Sequence, residues 1–173
     1  MINVDLSNVQ AAEEYNNLRP GGYVCAIIKV ENDPVKEYIK IYYDIAEGEY
    51  KNYWSNAEKG MGFWGGSFYR SYKENALPFF KAFTEAVEHS NPRYQWDGDE
   101  KGLECKYIGL VLGEEEYKNK NGEIKTRLYV HRIKAVEDIR CGDFKVPPMK
   151  KLEIKEPVFS APIDADDDSD LPF

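Results

Sequence analysis

The last eighteen residues, 156–173, carry six carboxylates (Glu156, Asp164, Asp166, Asp167, Asp168 and Asp170) and no lysine or arginine. Such a segment repels itself and has too little apolar surface to offset the entropy lost on ordering, so it reads as a disordered acidic tail. Any fold must be built from residues 1–155, about one domain of ordinary size. The tail closes with Asp166, Asp167, Asp168 and Asp170 running into Leu171, Pro172 and Phe173, an apolar tip on a charged leash. That pattern reads as a docking peptide for a partner protein; the plainer alternative is a tail that only confers solubility.

Charge at first argues against nucleic acid, because the chain carries a net −8 and phosphates are contacted by Lys and Arg. Its distribution reverses this. Of the 31 acidic residues six lie in the tail, which leaves 25 against 23 basic ones, so the body is near neutral and can carry a local basic face. No run approaches the roughly 20 apolar residues of a membrane span, and the first residues lack the basic start and apolar centre of a secretory signal, so a cytoplasmic location is expected. Cys25, Cys105 and Cys141 are widely spaced with no Cys-x-x-Cys pair, which argues for reduced thiols over a disulfide framework or a zinc site.

Residues 7–18 suggest a short helix capped by Ser7 and ended by Pro20, Gly21 and Gly22. Residues 23–30 alternate as a strand, with Val24, Ala26, Ile28 and Val30 against Tyr23, Cys25, Ile27 and Lys29, one face being fully buried. A second strand over 37–46 sets Ile39, Ile41, Tyr43 and Ile45 against Tyr38, Lys40, Tyr42 and Asp44. Residues 47–62 form a polar connection, and 63–72 a third strand. Apolar residues at helical spacing, including Leu77, Phe80, Phe83 and Val87, predict an amphipathic helix over 76–88. A fourth strand over 103–112 and a fifth over 123–136 are joined through a hairpin turn at 119–122. The order strand, strand, strand, helix, strand, strand is that of the OB-fold, a mainly β, five-stranded Greek-key barrel with its main helix between strands 3 and 4 and a common reader of single-stranded nucleic acid.

Binding a single strand without reading its sequence takes cations for the phosphates and flat rings on which bases stack. The second strand offers Tyr38, Lys40 and Tyr42; the third-strand region Trp64, Tyr69, Arg70, Tyr72 and Lys73; the connection between them Tyr50, Lys51, Tyr53, Trp54 and Lys59; the fifth strand Lys125, Arg127, Tyr129 and His131. Aromatic side chains also dominate cores. Phe63, Phe68, Phe79, Phe80, Phe83 and Tyr43 are assigned there, while Trp96 suits either role.

Three other motifs compete. Residues 60–65, Gly-Met-Gly-Phe-Trp-Gly, match the spacing of a dinucleotide-binding loop but have no apolar strand before them and no helix opening at them; glycines that let a strand bend are the better account. Asp97, Glu104 and Lys106 have the residue types of a Mg-dependent nuclease, in which carboxylates hold a divalent ion that activates water. A single strong helix fits that class poorly, yet it is the alternative enzyme reading. Glu114, Glu115 and Glu116 read as a solvated loop, and His89 and His131 lack partners for a triad or metal site. A third class is a protein-interaction adaptor whose rings all lie in the core.

The tail ending in Pro172 and Phe173 strongly resembles the C-terminal tip of bacterial and phage single-stranded DNA-binding proteins, although Leu171 stands where the bacterial proteins usually have isoleucine. The body resembles the phage-encoded members of Gram-positive hosts at residues 20–25 (Pro-Gly-Gly-Tyr-Val-Cys), 43–48 (Tyr-Asp-Ile-Ala-Glu-Gly), 80–96 with its Glu-His-Ser-Asn-Pro at 88–92, and 142–147 (Gly-Asp-Phe-Lys-Val-Pro). The resemblance implies a protein that coats single-stranded DNA during phage replication, recombination or repair in the host cytoplasm. It further implies a tail that recruits replication or recombination proteins, no catalytic residues, cofactor or metal, and room for a homodimer.

Overall fold

A computed structural model describes residues 2–8 and 17–152. The tail assigned to partner docking, including Asp166, Asp167, Asp168, Asp170, Leu171, Pro172 and Phe173, lies outside the described residues, as does most of the expected helix over 7–18. The strands are β1 (Gly21–Asp33), β2 (Tyr38–Ile45), β3 (Ser67–Ser71), β4 (Tyr107–Lys118) and β5 (Ile124–Lys134). They form one antiparallel sheet in the order β3-β2-β1-β4-β5. The main helix, α2 (Leu77–Ser90), follows β3; two smaller helices are α1 (Tyr53–Met61) and α3 (Val136–Arg140).

One face of the sheet carries the main core. Cys25, Ile27, Val30, Ile39, Ile41, Tyr43, Ile45, Ile108, Leu110 and Leu112 meet Phe83 and Val87 of α2, with Phe68 and Leu103 completing it. Burying side chains of this size contributes about 1.5–3 kcal/mol each, which makes this face the main source of stability. A smaller cluster on the opposite face packs Val24 and Val111 under Val136 and Ile139 of α3, with Phe144 alongside. The Phe144 ring lies where a Cβ on Gly22 would be, so that strand position has room for glycine alone.

The order of the five strands along the chain, with α2 between β3 and β4, matches the sequence expectation; several details differ. In β1 the alternation breaks at Ile28, where an extra residue separates the pairs Ile27–Tyr43 and Lys29–Tyr42. The bulge returns Val30 to the face of Cys25 and Ile27, and it leaves Ile28 46% exposed. Residues 114–116 are not a loop: they extend β4 and pair with Leu128, Arg127 and Thr126. The polar connection contains α1, whose N-terminus is capped from afar. The buried Asp44 carboxylate accepts from the Trp54 and Ser55 amides and the Ser55 hydroxyl, at 2.8, 3.2 and 2.6 Å. Gly62, at φ 78°, closes that helix, with Gly60 inside it and Gly65 beyond it, so none of these glycines bends a strand.

The third strand is correspondingly short. Gly65 and Gly66 run directly against the Trp54 ring before β3 begins at Ser67. Phe63 and Phe79, expected in the core, are 58% and 69% exposed. The β4–β5 turn follows expectation: the Asn119 side chain accepts from the Asn121 and Glu123 amides, and Gly122 takes φ 79°.

Candidate nucleic-acid interface

Alternation places Tyr38, Lys40 and Tyr42 of β2 on the face turned away from the main core, because Ile39, Ile41 and Tyr43 are buried on the other. On β3 the same rule turns Tyr69 outward between Phe68 and Arg70, and register sets it directly opposite Lys40. The rings of Tyr38 and Tyr69 meet edge to face with centroids 5.0 Å apart. The Lys40 ammonium reaches over both Tyr42, at 4.8 Å, and Tyr69, at 5.6 Å. Lys29, opposite Tyr42 on β1, approaches the same ring at 5.6 Å. The Tyr42 side chain beside it, against the cost of desolvation, raises the Lys40 pKa, so the amine stays charged at neutral pH. The result is a continuous outward strip of Tyr38, Tyr69, Lys40, Tyr42 and Lys29 across three strands.

The other candidates from this half of the chain are placed elsewhere. Trp54 packs against the core, edge to face with Tyr53 at 4.9 Å and Tyr43 at 6.5 Å. The Trp64 indole donates to the carbonyls of Tyr43 and Gly66 at 3.2 and 3.0 Å, which ties it to the sheet edge. Arg70 shares the core-side face with Phe68, whose ring its guanidinium covers at 5.4 Å, and burial lowers its pKa. Tyr72 donates to Asn32 at 2.8 Å and abuts Phe80, while Lys73 is exposed in the turn before α2. None of these five joins the strip.

Arg127 and Tyr129 stand on β5, opposite Glu115 and Gly113. The Arg127 guanidinium pairs with Glu115 at 2.8 Å and covers the Tyr117 ring at 4.8 Å. The Tyr129 ring lies flat on Gly113, where a Cβ would come within 2.7 Å of it, and the Lys150 ammonium lies over it at 4.4 Å. Lys150 is itself fastened to β4: its amide donates to Glu114 and its carbonyl accepts from Glu116. Lys150 is thus held to the β4–β5 hairpin by its backbone bonds to β4, with its ammonium over the Tyr129 ring.

The nuclease candidates have local partners. The Glu104 carboxylate accepts from the Val30 amide at 3.1 Å and from Lys101 at 3.2 Å, while Lys101 donates to the Val30 carbonyl at 2.7 Å. Together they satisfy the stretch of β1 that continues past the start of β4, and the Val30 amide is the main cause of the lowered Glu104 pKa. Asp97 accepts from the amide of Asp99 in its own loop, and Lys106 lies over Tyr94. Among the described residues no group of three or more His, Cys, Asp or Glu is placed to hold a metal ion. No helix among them is long and apolar enough to cross a membrane.

Lys29 belongs to the strip although its sequence phase assigned it to the face of Cys25 and Ile27. The adjacent Ile27 and Ile28, two large apolar residues where alternation leaves room for one, are the signal that marks the bulge. No protein-family model matches the chain, and no curated protein matches it.

Proposed function

We propose that this chain binds single-stranded DNA without regard to sequence, through the outward strip on β1, β2 and β3. The observation that carries the proposal is the placing of two ammonium groups among outward-facing tyrosine rings, Tyr69 exposed and Tyr42 half-buried: Lys40 over Tyr42 and Tyr69, Lys29 over Tyr42. Rings offer stacking faces to any base, and ammonium groups neutralise the phosphates between them. The strand order with one main helix after β3 supports an OB-fold, whose strands 2 and 3 supply the usual binding face. Barrel closure between β3 and β5 is part of this proposal.

The acidic tail ending in Leu171, Pro172 and Phe173 is the recruiting element for replication or recombination proteins, and phage DNA replication, recombination or repair is the setting its sequence resemblance supports. A titration of labelled oligo-dT at low salt tests the strand-binding half. Saturable binding that weakens as salt rises agrees with it, and no binding favours the adaptor reading. Removing residues 166–173 should leave that binding intact or strengthen it, since a polyanion competes for the same cations. Loss of binding on truncation contradicts the division of labour.

A further inference from the structure

One carboxylate stands inside the strip. Glu31 of β1 is the cross-strand partner of Lys40, and its side chain reaches back along its own strand to pair with Lys29 at 2.6 Å while accepting the Tyr42 hydroxyl at 3.2 Å. It therefore engages one of the two cations and one of the rings that the proposed interface would offer to a strand. Neither partner needs it for folding: the Lys29 and Glu31 side chains are 57% and 45% exposed, and exposed pairs of this kind are worth about 0–1 kcal/mol. A carboxylate oxygen on an ammonium also has the charge and hydrogen-bonding character of a phosphate oxygen.

We infer that Glu31 is an affinity-limiting guard of the interface, an internal anion that occupies Lys29 in the place of a DNA phosphate and must give way when a strand binds. This rests on the strand-binding reading above. On this account Lys29 adds less to affinity and to salt dependence than its position suggests, because releasing it from Glu31 offsets part of what the phosphate contact gives. Glu31 then keeps the interface weak toward isolated anions, while a strand that also stacks its bases on Tyr42 and Tyr69 can displace it.

The test is a titration of fluorescent oligo-dT over a series of salt concentrations with four proteins: wild type, Glu31→Gln, Lys29→Gln and the double variant. Glutamine keeps an oxygen for the Tyr42 hydroxyl and replaces the anionic oxygen facing Lys29 with a neutral amide group. Glu31→Gln should bind roughly two- to fivefold more tightly, the fold-change expected for an exposed pair. Its plot of log K against log salt should steepen by about 0.7, the contribution of one further phosphate contact on a single strand. Both gains should vanish in the double variant. Wild type that binds while Glu31→Gln binds equally or more weakly with the same slope overturns the guard and leaves the strand-binding reading standing. Absence of binding in all four proteins overturns both.

Discussion

Lys40 and Tyr69 face each other directly across β2 and β3, and the Lys40 ammonium, 5.6 Å from that ring and 4.8 Å from the ring of Tyr42, bridges two stacking platforms with one charge. The relationship follows from the pleat: each residue sits between two neighbours on the core-side face of the sheet, so each must point out. A site of this kind is fixed by the register of the sheet and needs no loop to assemble it.

Removing one platform should cost affinity with little effect on folding. Tyr42→Ala and Tyr69→Ala are each expected to weaken oligo-dT binding by about 1–3 kcal/mol, the worth of one base stacked on a ring. Tyr→Phe variants should retain most of it. Anisotropy titrations alongside urea unfolding separate the two effects.

Lys40 should act through charge. In Lys40→Gln the slope of log K against log salt is expected to become shallower by about 0.7, and the loss of affinity should be greatest at low salt. An unchanged slope would mean that Lys40 only supports the rings.

Trp54 should behave as a core residue. Trp54→Ala is expected to destabilise the fold by about 3–5 kcal/mol. Trp54→Phe should bind oligo-dT like wild type once corrected for the folded fraction. Gly66→Ala, which drives a methyl group into the Trp54 ring and to within 2.7 Å of the Tyr43 carbonyl, should also lower the urea midpoint, by about 1–3 kcal/mol in stability.

Glu104 should matter for stability. Glu104→Ala leaves the Val30 amide without its partner and is expected to cost about 1–3 kcal/mol. The folded-state pKa of Glu104 is depressed, first by that amide, so its ionised form stabilises the fold above the unfolded value of about 4.3. That stabilisation is lost as pH falls through the lower folded value. The stability difference between wild type and Glu104→Gln, measured by urea unfolding, should therefore narrow as pH drops below about 4.

The β2 face was legible from sequence because Tyr38 to Ile45 keeps strict period-two alternation, and α2 because its apolar residues keep helical spacing. β1 was misphased because a bulge adds a residue without changing composition, which hid Lys29. α1 escaped because its only buried residue is Ala57 and its cap, Asp44, lies on another element. Residues 114–116 looked like a loop because three successive glutamates carry no alternation; their strand conformation comes from pairing with β5. Of the proposed contact residues, Tyr38, Lys40, Tyr42 and Tyr69 converge on the strip, while Trp54, Trp64, Arg70, Tyr72, Lys73, Arg127 and Tyr129 are placed outside it, because residue type does not reveal which partner a ring or cation packs against.

The most direct test of the central claim is to follow the backbone amide signals of the isotope-labelled full chain by NMR as unlabelled oligo-dT is added. The account predicts that the largest shifts fall on Lys29, Tyr38, Lys40, Tyr42 and Tyr69, with little change at Phe83 and Val87 of α2, on the far side of the main core. Saturable binding whose shifts cluster away from β2 and β3, or the absence of any shift at low salt, would contradict it.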